Sequence, residues 1–156
     1  MRHFAKLFRR KDIELLMFNR AFGVLTKEAF NLLITRIPTD DTALVVFDID
    51  NMKGFNSRLG KEEVNRRLAK AFSFRTNDIL LGQTFSGDEF AALVNQEDAY
   101  GFAVRLRESL KSQDLSATIV IADYVNEETF STTEHEVSQL KENNMKDRIV
   151  DLRKTK

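Results

Sequence analysis

The sequence contains no cysteine and only two histidines, His3 and His135, among its 156 residues. Without cysteine there can be neither a disulfide framework nor a thiolate metal site, and two histidines do not make a histidine-rich zinc site. Any metal that this chain binds is therefore expected to have oxygen ligands, which suit hard cations such as Mg²⁺.

The sequence also lacks net charge, because its 24 basic and 24 acidic side chains cancel. No global field attracts nucleic acid or an anionic membrane, so any phosphate binding must be local. No apolar run approaches the ~20 residues that a membrane-spanning helix needs, and the charged N-terminus is unlike a signal peptide. We expect a cytoplasmic protein with no nucleic-acid partner and no integral membrane segment.

The sequence does contain enough apolar material for a core: 42% of its residues are hydrophobic and 13 are phenylalanine. Its length is typical of a single domain. Hydrophobic periodicity predicts helices over 4–20, 26–36, 61–74, 99–110 and 133–143. It predicts strands over 42–48, 79–85, 89–94, 117–124 and 148–152, of which the second and third form a hairpin. This order predicts a layered α+β fold with one sheet covered by helices.

Two acidic segments adjoin predicted strands. One apolar run ends at Asp48, and another begins directly after Asp88 and Glu89. Burying carboxylates is costly unless a cation or hydrogen bonds offset the lost hydration. Oxygen-rich acidic sites suit Mg²⁺ or Mn²⁺ bound together with substrate phosphates. If the two strands are neighbours, Asp48 and Asp88 lie at the same sheet edge, which favours nucleotide chemistry.

Each acidic segment also has a simpler interpretation. An Asp at the end of a strand is often a turn residue or a helix N-cap, and Ser-Gly-Asp is an ordinary hairpin turn. Either explanation suits one segment alone. The occurrence of both segments, each beside an apolar strand, favours a functional site.

The N-terminal residues 1–18 are predicted to form an amphipathic helix, separate from a domain over 19–156. The apolar residues Phe4, Leu7 and Phe8 lie near helical spacing, with basic residues between them. Such a helix could bind a membrane surface, pack on its own domain or contact a second copy of the chain. We favour packing or dimer contact.

The two acidic segments resemble the central motifs of the diguanylate cyclase, or GGDEF, family. Residues 48–56 read Asp-Ile-Asp-Asn-Met-Lys-Gly-Phe-Asn, with Gly60 following, and residues 86–90 read Ser-Gly-Asp-Glu-Phe. Weaker agreement at 23–30 and 117–121 extends the resemblance over about 19–150. It implies a palm-like α+β domain, like those of nucleotide cyclases and polymerases. Its central, mostly antiparallel sheet would be covered by helices and preceded by an N-terminal helix.

The resemblance also implies an activity and its residues. A homodimer would condense two nucleoside triphosphates, GTP foremost and ATP as a further candidate, into a cyclic dinucleotide such as cyclic di-GMP. Two Mg²⁺ or Mn²⁺ ions per active site would be ligated by Asp48, the Ile49 carbonyl and Asp88. The residues implied to be catalytic are Asp48, Lys53, Asp88 and Glu89. Those implied to bind nucleotide are Asn51, Met52, Lys53, Asn56, Asn65, Ser86, Gly87, Lys141 and Lys146.

Four departures from the family pattern bear on this implication. Ser86 replaces a glycine, and Asn65 replaces the aspartate of guanine-specific members. Lys146 stands where the family's Gly-Arg-Asn would supply an arginine. Arg75 and Asp78 approximate the product-inhibition motif at altered spacing, for which chance is the favoured explanation. A second interpretation is therefore a catalytically inactive GGDEF-like domain that binds nucleotide or a protein partner and acts as a regulator.

Overall fold

The computed structural model describes residues 10–74, 80–84 and 87–154 as one layered α/β unit. Its described strands are β1 (Thr42–Ile49), β2 (Leu80–Gln83), β3 (Glu89–Asn95), β4 (Ala117–Asp123) and β5 (Arg148–Asp151). Its described helices are α1 (Arg10–Met17), α2 (Lys27–Ile34), α3 (Met52–Leu59), α4 (Lys61–Ala71), α5 (Ala99–Lys111) and α6 (Glu127–Glu142).

The described strands form one sheet in the order β2-β3-β1-β4-β5. Every residue of β1 is buried, as expected for a central strand covered on both faces. β1 pairs antiparallel with β3 and with β4, whereas β5 pairs parallel with β4. The α+β prediction, with a mostly antiparallel sheet covered by helices and a helix at the N-terminal end, is confirmed.

The core has two layers because successive side chains of β1 point to opposite faces of the sheet. Val45 and Phe47 belong to the layer beneath α4 and α5, while Leu44 and Val46 belong to the layer beneath α2 and α6. In the first layer, Phe47 stacks on Phe90 with ring centroids 5.4 Å apart. A core phenylalanine of this kind typically contributes about 3–5 kcal/mol to stability, judged by its replacement with alanine.

Local capping explains where the helices begin. Thr26 caps α2, since its side chain accepts a hydrogen bond from Ala29 N. The predicted start of the last helix at Thr133 is wrong, because α6 begins at Glu127. Asn126 and Thr129 form a reciprocal capping box there, which satisfies free amides of the first turn and lengthens the helix.

The predicted boundaries of two other helices also change. The helix expected over 61–74 ends at Ala71 and continues as a 3-10 turn, Phe72–Phe74. Of the helix predicted over 4–20, the described part is α1, which ends at Met17 before Phe18 forms an isolated bridge with Leu25. Phe4, Leu7 and Phe8 lie outside the described residues, and the proposed division at residue 18 stays a prediction.

None of the residues in α1 is buried. Its Leu15 and Leu16 are 51% and 67% exposed. These two side chains give α1 an exposed apolar surface. Within the described ranges, none of the helices has the length and apolar character needed to cross a membrane.

Candidate active site

The ends of β1 and β3 bring the two acidic segments together. Asp48 is the register partner of Glu89, and the amide of Ile49 donates a hydrogen bond to the Asp88 carbonyl oxygen at 2.9 Å. The strands are neighbours, so the expected common edge for Asp48 and Asp88 is present in the structure. Both Asp88 and Glu89 act electrostatically on Asp48.

A lysine from α6 reaches this acidic cluster. Lys141 Nζ donates a short hydrogen bond to Asp48 Oδ1 and a longer one, at 3.4 Å, to the Ile49 carbonyl oxygen. These two acceptors are oxygens that the family resemblance implies as metal ligands. A single ammonium group therefore contacts both.

Burial raises the pKa of Asp48 from its ordinary value of 3.8 to about 6. The hydrogen bond and charge of Lys141 lower this pKa, whereas the charges of Asp88 and Glu89 raise it. Loss of hydration outweighs the ion pair because the Asp48 side chain is only 11% exposed. A carboxylate in such a setting gains from a further cation.

The oxygens of this cluster are candidate ligands for a divalent metal. The donor set is a buried carboxylate, a backbone carbonyl and neighbouring acidic residues, which is the oxygen chemistry that Mg²⁺ and Mn²⁺ prefer. Mg²⁺ commonly takes only one or two protein carboxylates and completes its shell with water and substrate phosphates. In the ranges that the structure describes, no cluster of three or more His, Asp or Glu side chains is arranged to hold a metal. The oxygens present are therefore of the type that these ions bind.

The turn after β1 presents backbone amides beside the cluster. Asn51 adopts a left-handed conformation, with φ of 53°, and α3 begins at Met52. The first amides of a helix have no partner inside the helix and attract anionic oxygens. Asn51 and Met52 are therefore placed where their N–H groups can hold phosphate.

A cavity of about 470 Å³ opens beside this turn. Its lining residues are Phe22, Met52, Lys53, Asn56, Ser57, Lys61, Asn65, Gly87 and Asp88. Many of the implied nucleotide-binding residues thus share one cavity, and Asp88 connects it to the acidic cluster. A volume of this order is ordinary for a small-molecule site.

Most polar side chains that line this cavity have no hydrogen-bond partner among the described residues. Within the described part of the chain, the side chains of Lys53, Asn56, Ser57, Lys61 and Asn65 make no hydrogen bond or ion pair. Lys53, Ser57 and Lys61 are exposed, and Asn56 and Asn65 are half-buried, so these side chains are accessible to a polar ligand in the cavity. Lys53 and Lys61 give this ligand an anionic preference.

Some implied residues lie elsewhere. Lys141 is at the acidic cluster and does not line the cavity. Lys146 is exposed in the segment between α6 and β5, and it does not line the cavity either. Ser86, Arg75 and Asp78 lie outside the described residues.

The structure adds residues that sequence reasoning missed. Lys61 lines the cavity four positions before Asn65 on α4, and this helical spacing was a signal that could have revealed it. Phe22 also lines the cavity, although no sequence motif marks it. Glu134 of α6 lines a small cleft with Asp48 and Glu89, and burial raises the pKa of its carboxyl.

The chain resembles solved GGDEF domains. No family model and no curated protein matches the sequence. A microbial GGDEF domain, studied for its interaction with cyclic di-GMP, aligns with 89% of this chain and 98% of its own. The TM-score is 0.74 at 18% identity.

Two Pseudomonas aeruginosa structures give similar matches. The diguanylate cyclase SiaD, in complex with its activator SiaC, aligns with 96% of this chain and 68% of its own, at a TM-score of 0.66 and 19% identity. The GGDEF domain of YfiN aligns with 86% of this chain and 93% of its own, at a TM-score of 0.64 and 20% identity. The chain has the GGDEF-domain fold.

Proposed function

We propose that this chain is a metal-dependent nucleotidyltransferase that joins two nucleoside triphosphates into a cyclic dinucleotide such as cyclic di-GMP. One observation carries the proposal: the acidic cluster around Asp48 adjoins a cavity that is lined by hydrogen-bond donors, and Asp88 belongs to both the cluster and the cavity. The first part suits cations and the second suits a polar anion. A metal–triphosphate complex combines the two requirements.

The reaction conserves atoms without an external reagent. Each ribose 3′-hydroxyl oxygen attacks the α-phosphorus of the other nucleotide, and the bond from that phosphorus to pyrophosphate breaks. Two triphosphates therefore give one cyclic dinucleotide and two pyrophosphates. The hydroxyl proton leaves to solvent, with Glu89 as the group that accepts a hydrogen bond from the hydroxyl.

The chain's own groups bind and orient the triphosphate. Amides of Asn51 and Met52 hold phosphate oxygens at the start of α3, and Gly87 permits close approach from the hairpin. Lys53 contributes positive charge from the cavity wall. Lys141, which contacts Asp48, would donate to phosphate oxygens by resemblance, and Lys146 and Ser86 extend this set in the same way.

Asp48, the Ile49 carbonyl and Asp88 would hold two Mg²⁺ or Mn²⁺ ions. When bound, such ions polarise the α-phosphate and lower the pKa of the attacking hydroxyl. Asn56 and Asn65 would contact the base at the α3–α4 side of the cavity. GTP is the first substrate by resemblance. Because Asn65 offers one acceptor where Asp would offer two oxygens, selectivity for guanine is weakened and ATP is a second substrate.

Two nucleotides must meet with opposed orientation, and the cavity presents one set of the implied nucleotide-binding residues. We therefore propose a homodimer in which each copy presents one triphosphate to the other. The exposed apolar residues of α1 are the candidate contact.

A second candidate is a non-catalytic domain that binds nucleotide or a protein partner as a regulator. The observation that favours it is the ion pair of Lys141 with Asp48, taken with the absence of a cluster of three metal-binding side chains in the described ranges. Such a domain would use the same cavity without turnover.

A product assay separates the two candidates. Purified protein is incubated with Mg²⁺ or Mn²⁺ and each nucleoside triphosphate, singly and in pairs, and the products are identified by mass spectrometry. The cyclase predicts a cyclic dinucleotide with two pyrophosphates, lost in Asp48→Asn. Nucleotide binding without product in any mixture would support the regulator.

A further inference from the structure

We propose that Asp50, the second carboxylate of the Asp-Ile-Asp segment, is a positioning residue of the nucleotide site and not a metal ligand. The proposal rests on the proposed function, because the turn that Asp50 holds is the turn assigned to phosphate binding. Asp48 and Asp50 are two residues apart, and in a continuing strand both would face the same side. In the structure, however, the two carboxylates have different hydrogen-bond partners.

The Asp50 carboxylate is already committed to three donors. Its Oδ2 accepts hydrogen bonds from Ser116 Oγ at 2.9 Å and from the amide of Asp147 at 3.0 Å. Its Oδ1 accepts one from Thr118 Oγ1 at 2.8 Å. The residue is only 4% exposed. A metal at this carboxylate would have to displace these hydrogen bonds, including the one from the fully buried Thr118.

These bonds connect three parts of the chain around the turn. Ser116 directly precedes β4 and Thr118 is the second residue of that strand. The Asp50 amide donates in return to the Ser116 carbonyl oxygen at 2.9 Å. Asp147 directly precedes β5. The buried carboxylate therefore fixes the end of β1 against two other strands.

A second layer of contacts holds Asp147 in place. Arg107 Nε donates to Asp147 Oδ1 at 2.9 Å, and Lys111 Nζ lies 3.1 Å from Asp147 Oδ2. The Arg107 hydrogen bond lowers the pKa of Asp147, so its carboxylate stays ionised. The segment between Lys141 and Asp147 is thus anchored on α5 at one end and reaches the acidic cluster at the other.

The position of Asp50 explains why this anchoring matters to the site. The next residue, Asn51, has a φ of 53°, which is uncommon for a residue other than glycine and persists when the surroundings enforce it. Met52 then opens α3. If Asp50 loses its partners, the turn can relax and the amides of Asn51 and Met52 lose their common direction.

The two roles predict opposite outcomes for an isosteric change. In Asp50→Asn, the amide oxygen can keep the bonds from Ser116 and Asp147, while the amide nitrogen donates to a rotated Thr118 hydroxyl. A positioning residue therefore tolerates Asn. A metal ligand does not, because Asn removes the negative charge, and Asp48→Asn provides that comparison in the same site.

The experiment measures two affinities in the full chain: Mn²⁺ alone by electron paramagnetic resonance, and a fluorescent GTP analogue in the presence of Mg²⁺. We expect Asp50→Asn to keep both affinities within about threefold of wild type, whereas Asp48→Asn should lose Mn²⁺ binding. Asp50→Ala should weaken the affinity for the nucleotide at least tenfold and keep the affinity for Mn²⁺ within about threefold of wild type. Ser116→Ala is a milder variant for the case that Asp50→Ala does not fold. It should weaken the affinity for the nucleotide about two- to tenfold, as expected for one lost hydrogen bond.

The outcomes distinguish this inference from the proposed function. Loss of Mn²⁺ binding in Asp50→Asn as large as in Asp48→Asn would overturn the inference and make Asp50 a ligand. Wild-type nucleotide affinity in Asp50→Ala or Ser116→Ala would also overturn it. If the wild type binds no nucleotide at all, the proposed function fails and the inference fails with it.

Discussion

The ammonium group of Lys141 hydrogen-bonds the carboxylate of Asp48, across 93 positions of sequence. This contact joins α6 to the end of β1 at the point where the acidic cluster forms. It supplies one positive charge to a group of carboxylates that would otherwise repel one another. The relationship leads to predictions about charge, pH and metal.

Lys141→Met should destabilise the protein in EDTA by about 1–3 kcal/mol, because it leaves a buried carboxylate without its cation. The loss stays below that of a fully buried pair because Lys141 is 21% exposed and Asp48 can take up a proton. Mg²⁺ should restore more stability to this variant than to wild type. Urea unfolding with and without Mg²⁺ measures both effects, and Lys70→Met, an exposed change on α4, is the control. Equal destabilisation by both variants would contradict the role of the contact.

The stability of Asp48→Asn relative to that of wild type should increase as pH rises. The folded pKa of Asp48, about 6, lies above its ordinary value of 3.8, so the folded state binds the proton more tightly. Relative to Asp48→Asn, wild type is therefore most stable below pH 4. Between about pH 4 and 6 its free energy of unfolding falls by about 3 kcal/mol in this comparison. Urea unfolding in EDTA at pH 4, 5, 6 and 7 follows the difference between the two proteins. A difference independent of pH would show that Asp48 titrates normally.

Much of this site was accessible from sequence, because its main elements are local motifs. Asp48, Asp88 and the hairpin between β2 and β3 were identified from apolar runs beside acidic residues, and the pairing of β1 with β3 brings them together. Asn56 and Asn65 were identified by resemblance, and the cavity contains both.

The remainder depends on contacts between distant parts of the chain. The partners of Asp50 lie 66 to 97 positions away, so no spacing rule revealed them. Phe22 reaches the cavity from a turn with no periodic pattern. The early start of α6 was missed because an Asn–Thr capping box is a weaker signal than Ser or Thr followed by Glu.

Asn65→Asp should shift the nucleotide preference towards guanine. An ionised Asp can accept charge-assisted hydrogen bonds from guanine N1–H and N2–H, which adenine does not offer. The expected gain in discrimination is about 1–3 kcal/mol. Competition binding of GTP against ATP measures it, and Asn95→Asp, an exposed change at the end of β3, is the control. An unchanged ratio in a folded Asn65→Asp variant would exclude this position from base recognition.

Replacing Leu15 and Leu16 together by Glu should weaken self-association and leave the fold intact. Both side chains are exposed on α1, so their loss removes little core packing. Sedimentation equilibrium over a range of concentrations measures the effect, and Lys11→Glu tests for a change of charge alone. If wild type dimerises and the double variant has the same self-association constant, the contact does not depend on Leu15 and Leu16.

We propose that the acidic cluster and the adjoining cavity form one metal-dependent nucleotide site. Calorimetric titration of a non-hydrolysable GTP analogue into wild type and Asp48→Asn, in Mg²⁺ and in EDTA, tests whether the two parts act together. We expect at least tenfold tighter binding in Mg²⁺ for wild type and loss of that difference in Asp48→Asn. Equal affinity in Mg²⁺ and EDTA, or an undiminished metal effect in Asp48→Asn, would contradict it.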